Sequence, residues 1–301
     1  MPVHLSIVIP HKNIPELLAR CLRSIPERDD IQVIVVDDCS DAANTFSEKY
    51  PDLFRQDVEF FFTKEGKGAG YARNVGLKHI KGKWVIFADA DDFFLSEWTR
   101  FTDPFLDSDA DVIQFRIADA LSHSDCGWHN RSLDDYLAGR TTEKNVLFSN
   151  ITCWAKMFSA DFLKKNDILF EEIKCAEDVS FGYHVAIKAQ KIVISQDAIY
   201  NVTYREGSLT TIRNKEYNWI RYTAVKEANA FAEKQGYRQY VLPPAIEVLK
   251  SWRQLGLREY LHFAWHERHE IRRASTIQME PKPFNYRHPY LYVLMVLLKL
   301  V

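Results

Sequence analysis

A chain of 301 residues with 47% hydrophobic and 27% charged residues is an ordinary globular composition, long enough for one large domain or one domain with an appendage. A net charge of −2 offers no basic excess for a nucleic-acid partner, yet it is unevenly spread: residues 216–301 carry 13 Lys+Arg against 8 Asp+Glu. The C-terminal part therefore reads as a basic appendage on an acidic body. The five cysteines, Cys21, Cys39, Cys126, Cys153 and Cys175, are odd in number and form no C-x-x-C pair, which excludes an obvious zinc site and suits reduced thiols in a cytosol.

The chain enters a strand pattern at once, Leu5–Pro10, without the basic start and cleavage site of a signal peptide, so export is not expected. Pro15–Ser24 then carries apolar residues at Leu17, Leu18, Cys21 and Leu22 at helical spacing, continuing to Ile25. The β-branched run Ile31–Val36 stops at Asp37-Asp38-Cys39-Ser40-Asp41. A helix at about 42–50, a strand at Val58–Thr63, a glycine-rich loop at Gly66–Gly70, a helix at Ala72–His79 and a strand at Trp84–Ala88 follow. Such alternation predicts a mostly parallel sheet covered by helices. Helical character returns after about Glu216, where Trp219, Tyr222, Val225, Ala228 and Phe231 keep helical spacing. The apolar tail from Tyr290 to Val301 has twelve residues, where spanning a bilayer takes about 20. It can lie in a membrane surface, on its own body or on a second subunit, but it cannot span.

Ligands of open α/β sheets sit beyond the carboxyl ends of the strands, and three polar clusters fall there: Pro10-His11-Lys12-Asn13, Asp37-Asp38 and Asp89-Ala90-Asp91-Asp92. If the last cluster is extended, residues two apart share a face, so Asp89 and Asp91 converge on a hard cation, magnesium or manganese, while Asp92 turns away. The alternative is a solvated acidic turn. Asp38 can accept from a nucleobase or serve as a turn carboxylate. The segment 64–76 lacks the G-K-[ST] ending of a phosphate loop, though Arg73 supplies a fixed charge for phosphate or for the strand-end carboxylates. Glu177 and Asp178 open a helix; they complement its dipole, or Asp178 serves as a general base.

Taken in order, Ser6–Asn13, Val35–Asp41, Gly70–Gly76, Phe87–Asp92 and Glu177-Asp178 resemble the family 2 glycosyltransferases of bacteria, with Cys153-Trp154-Ala155-Lys156 and Ile168–Phe170 as further matches. The likeness covers about residues 3–212. It implies a GT-A fold, Rossmann-like, with a mostly parallel central sheet: a transferase domain at 1–215, divided into a nucleotide-binding half (1–100) and an acceptor half (101–215), and a basic helical extension at 216–301. It implies a divalent metal, Mn2+ or Mg2+, held by Asp91, and a nucleotide-diphospho-sugar donor, a UDP-sugar favoured, contacted by Pro10, Asp38, Arg73, Asp89 and Ala90. Asp178 becomes the catalytic base of an inverting transfer to a saccharide or lipid-linked acceptor, with Asp92, Glu177, Trp154 and Arg205 in support. The setting expected is cell-surface polysaccharide assembly in the cytoplasm, with peripheral membrane contact through the C-terminus or a homodimer. A non-catalytic sugar-nucleotide binder of the same fold is the rival, disfavoured by the joint presence of Asp89, Asp91 and Asp178. A sugar nucleotidyltransferase ranks lowest, because Pro10-His11-Lys12-Asn13 stands where its phosphate loop belongs. His11-Lys12 also departs from the family pattern on the base side.

Overall fold

The computed structural model describes residues 2–41, 49–53, 55–118, 127–205, 207–209, 212, 214–240 and 256–268. Most of the helix expected at about 42–50 and all of the apolar tail at 290–301 lie outside them. The chain divides into two compact units, Met1–Glu206 and Gly207–Val301. The division falls upstream of the boundary expected near 215, in the loop leading to the helix Lys215–Lys234.

Among the described residues the first unit is built on one sheet of eight strands: β1 (Leu5–His11), β2 (Ile31–Asp38), β3 (Val58–Thr63), β4 (Trp84–Phe87), β5 (Phe93–Phe94), β6 (Val112–Ile117), β7 (Lys156–Ser159) and β8 (Ile192–Asn201). Their spatial order is β3-β2-β1-β4-β7-β6-β8-β5. The pairings β1·β2, β1·β4, β2·β3 and β6·β8 are parallel, while β7 runs antiparallel to both β4 and β6, and β5 antiparallel to β8. The central strands are apolar along nearly their whole length because helices or loops cover both faces, as a parallel sheet requires. Ile7, Val33, Ile86 and Ile113 are fully buried.

Two helices carry most of the site's weight. Ala69–Leu77 begins three residues earlier than its apolar spacing suggested, immediately after Gly68 at φ +100°. It lies against β1 so closely that a Cβ on Gly76 would stand 2.4 Å from Val8 Cγ1, which explains that glycine by packing. Glu177–Lys188 presents Phe181 to an aromatic cluster in which Phe170 stacks flat on it at 4.0 Å and Phe87 meets both edge-on.

Within the second unit, Lys215–Lys234 is capped by the Asn214 side chain accepting from Tyr217 N at 2.9 Å. Its Tyr222 meets Phe263 of the helix Leu257–His266 edge-on at 5.1 Å and donates to Glu267 at 2.6 Å. Among the described residues no helix is long and apolar enough to cross a membrane.

Candidate active site

The carboxyl ends of β1, β2 and β4 lie side by side, and the polar clusters fall on them. Pro10, half-buried, pairs with Val36 across the β1–β2 ladder. His11 Nδ1 lies 2.7 Å from Asp37 Oδ2, a buried pair. Burial works to raise the Asp37 carboxyl, but the bonds from His11 and from Ser40 N outweigh it and hold it below its ordinary value. Asp38 is buried and accepts from Thr63 Oγ1 (3.0 Å), Lys67 N (3.2 Å) and Gly68 N (2.7 Å). Positive φ at Gly66 and Gly68 lets these amides turn inward, so Asp38 anchors the glycine-rich loop.

The chain leaves β4 at Phe87 and turns: Asp92 N donates to Asp89 O at 3.0 Å. The extended geometry expected of Asp89-Ala90-Asp91 is therefore replaced by a tight turn, fixed by hydrogen bonds from elsewhere. Tyr200 Oη accepts from Asp89 N at 2.8 Å, and Thr203 N donates to Asp92 Oδ1 at 2.6 Å. Arg20 donates to Asp91 O and, at 2.9 Å, to Thr203 Oγ1. Asp92 is buried, its carboxyl raised well above the usual range by burial and by the charge of Asp89. Ala90 is buried at the turn's centre. Asp91 faces outward enough for Arg205 Nε to donate to its Oδ2 at 2.7 Å. Burial and then Asp89 raise the Asp91 carboxyl, with Arg205 pulling the other way.

Arg73 joins this turn to the acidic helix start. It is 4% exposed, with Nη2 2.6 Å from Asp89 Oδ1 and Nη1 2.6 Å from Glu177 Oε1. Its guanidinium lies over the Phe170 ring at 5.2 Å. Asp178 follows Glu177 in the first turn, after Ala176 in the left-handed region at φ +62°. Burial first, and then the charge of Glu177, push the Asp178 carboxyl up to about 7, against the pull of Arg73. A half-buried carboxylate poised near neutral pH suits a general base.

Asp89, Arg73, Glu177 and Asp178 thus form one cluster, with Asp91 and Arg205 paired at its edge. Pro10 and Asp38 stand one and two strands away along the same sheet edge. Trp154 is set back in the core, stacked on Tyr200 at 6.1 Å and tilted against His129 at 5.0 Å. Among the described residues no group of three or more His, Cys, Asp and Glu is arranged to hold a metal. A magnesium or manganese ion that keeps waters and substrate phosphates needs only one or two carboxylates, and the charge crowded between Asp89 and Asp91 is what a cation would relieve. Asp91, with Asp89 beside it, fits such an ion.

The residues that sequence reasoning missed are Tyr200, Thr203 and Arg20. Their one signal is type: a buried tyrosine hydroxyl and an arginine on an otherwise apolar helix face both need partners. The partners lie 111 and 71 residues away, respectively, so spacing is silent about them.

The chain is 30% identical over 245 residues to the poly(ribitol-phosphate) beta-N-acetylglucosaminyltransferase TarS of Staphylococcus aureus (strain MW2), covering 76% of this chain and 41% of that protein. It is 30% identical over 222 residues to the poly(ribitol-phosphate) beta-glucosyltransferase of Bacillus spizizenii, covering 67% and 33%. The chain therefore spans less than half the length of these relatives. Among solved structures, TarS residues 1–349 with UDP-GlcNAc superpose with a TM-score of 0.62 at 24% identity, over 81% of this chain and 72% of that one. The mannosyltransferase PcManGT of Pyrobaculum calidifontis, with GDP-Man and Mn2+, gives 0.53 at 16% identity, over 100% and 81%. Both superpositions establish the GT-A fold. The family model described as glycosyl transferase family 2 matches residues 6–166, more than half of the sequence, and the chain belongs to that family.

Proposed function

We propose that the chain transfers a sugar from a nucleotide-diphospho-sugar, a UDP-sugar favoured, to a hydroxyl of a saccharide or lipid-linked acceptor in the assembly of a cell-surface polymer. The observation that carries this reading is the single cluster in which Arg73 ties the strand-end carboxylate Asp89 to Glu177, beside Asp178 with its carboxyl near 7. Sequence relatives named for transfer to poly(ribitol-phosphate) support the polymer class, and TarS, the first of them, is also known with UDP-GlcNAc.

Pro10 and the loop anchored by Asp38 form the base side of the donor cleft, and Asp89 and Ala90 border the diphosphate. Asp91 would hold Mn2+ or Mg2+, which supplies cationic charge for the departing nucleoside diphosphate. Arg205, already at Asp91, adds fixed positive charge to the same place. Asp178 takes the proton of the acceptor hydroxyl as its oxygen attacks the anomeric carbon; the sugar–phosphate bond breaks and the electron pair leaves with the diphosphate. A single displacement inverts the anomeric centre and needs no covalent enzyme intermediate. Both relatives are named for β-linked transfer, the outcome of such a step on an α-linked donor.

Incubating the protein with UDP-, GDP- and dTDP-sugars and manganese, with poly(ribitol phosphate) as acceptor, tests the proposal. We expect metal-dependent transfer from one donor class, lowered about 10²- to 10⁴-fold by Asp178→Asn. Transfer at the wild-type rate by that variant would remove Asp178 as the base, and a blank panel would remove the transferase reading.

For location, we propose the cytoplasmic face of an anionic membrane. Leu257, Leu261 and Trp265 recur at four-residue spacing on one helix and are 71%, 46% and 71% exposed, with Arg268 over the Trp265 ring at 4.6 Å and Arg258 beside Leu257. Trp265→Glu should weaken sedimentation with phosphatidylserine vesicles. Unchanged sedimentation together with a shift in dimerisation would assign the stripe to a second copy instead.

A further inference from the structure

We infer that Arg73 is a positioning residue, the strut that holds Asp89 and the start of the Glu177–Lys188 helix in one frame, and that it does not itself grip donor phosphate. Its two terminal nitrogens are committed, Nη2 at 2.6 Å to Asp89 and Nη1 at 2.6 Å to Glu177, its Nε is enclosed without a partner, and the guanidinium rests on Phe170. A phosphate could recruit it only by displacing one of two short, charge-assisted bonds or by opening the packing that encloses Nε. A planar, two-sided guanidinium bridges two carboxylates in fixed geometry as an ammonium does not.

The helix that carries Arg73 is built to press on the same segment. Gly70, Arg73 and Asn74 share one face at helical spacing. A Cβ on Gly70 would stand 2.1 Å from Glu171 O and 3.0 Å from Glu177 Cβ. Asn74 grips Phe170 at both backbone groups, donating to its carbonyl at 2.9 Å and accepting from its N–H at 2.9 Å. Phe170 in turn stacks on Phe181, one turn beyond Asp178. The small residue admits the approach, the amide fixes the segment, and the arginine sets the distance between the donor-side carboxylate and the base.

The inference rests on Asp178 being the base, and the test keeps the two apart. Arg73→Gln, Arg73→Lys, Glu177→Gln and the Arg73→Gln/Glu177→Gln double variant are compared with wild type in three measurements: calorimetric affinity for UDP or GDP with manganese, steady-state transfer, and Tm. We expect nucleotide affinity within about threefold of wild type while kcat falls about tenfold or more in both Gln variants. Lys should fail to rescue, and the double variant should be no worse than the worse single one in kcat or Tm. Nucleotide affinity that falls in step with kcat/KM and returns with Lys would make Arg73 a phosphate ligand and overturn the proposal. Additive losses in the double variant would overturn the bridge. If Arg73→Gln does not fold, Glu177→Gln alone decides, since a strut cut at either end gives the same kcat loss without loss of nucleotide. If no donor is transferred by wild type, the base assignment fails, while the Tm coupling still decides the bridge.

Discussion

The role we propose for Asp178, taking a proton from an alcohol, is best filled when the carboxyl pKa lies near the working pH, and Asp178 reaches that value through burial and the charge of Glu177 next to it. The base is active when deprotonated, so kcat/KM should climb as pH rises through about 7 and level off above it. Glu177→Gln removes the like charge and leaves the Arg73 charge balanced by Asp89 alone; both changes lower the Asp178 pKa, and the acid limb of the pH–rate profile should move below that of wild type. A limb that stays in place would mean that another group controls it. The residues of this cluster were legible in the sequence because carboxylates at the end of a buried apolar strand, and acids in a helix's first turn, are polar groups placed where something must answer them. Of what they answer to, the pairing of Arg73 with a strand-end carboxylate was one of two expectations for that residue, and its second pairing, with Glu177, was not legible. Arg73 and Asp89 are 16 positions apart but Arg73 and Glu177 are 104 apart, and no spacing rule reaches that far.

Elements were read well where one period dominates. β1, β2, β3 and β4 fall within two residues of their expected bounds because short apolar runs end in turns. The strands β6, β7 and β8 went unread. Val112–Ile117 interrupts its apolar run with Gln114 and Arg116, and Lys156–Ser159 begins with a buried lysine, whose ammonium burial pushes down to about 7. The expectation of convergence between Asp89 and Asp91 used strand periodicity beyond the point where the strand had ended. The contact between the Ala69–Leu77 helix and β1 gives a prediction at this scale. Alanine at Gly76 gains up to about 1 kcal/mol of helix propensity but forces a methyl into Val8, a stiff and fully buried side chain. The clash is the larger effect, and urea unfolding should show a net loss of about 1–2 kcal/mol. A stabilised Gly76→Ala variant would mean that the helix can shift on the sheet at little cost.

For the molecule as a whole, stability should carry the signature of one buried imidazole. His129 sits in the core beside Trp154, and burial, with the charges of Lys156 and Arg116 adding to it, drives its pKa down to about 3. As pH falls below about 6.5, the unfolded chain takes up this proton and the folded chain does not. The contribution is therefore complete above 6.5 and shrinks below it, by about 2 kcal/mol between pH 6.5 and 5 at about 1.4 kcal/mol per unit. The difference in unfolding free energy between wild type and His129→Asn should narrow by that amount over the same interval. An unchanged difference would place the proton elsewhere.

The turn at Asp89–Asp92 has a temporal consequence. Its shape is held by Tyr200 and Thr203, more than a hundred residues downstream, and by β5 pairing with β8. A chain emerging from the ribosome carries every acidic side chain of the proposed donor cleft by residue 92, yet the turn that aims them lacks its clasp until about 110 further residues have been made. The first hundred residues are then a half only in outline, and a fragment ending before β8 would keep β1 to β4 while losing the ability to present Asp89 and Asp91 together.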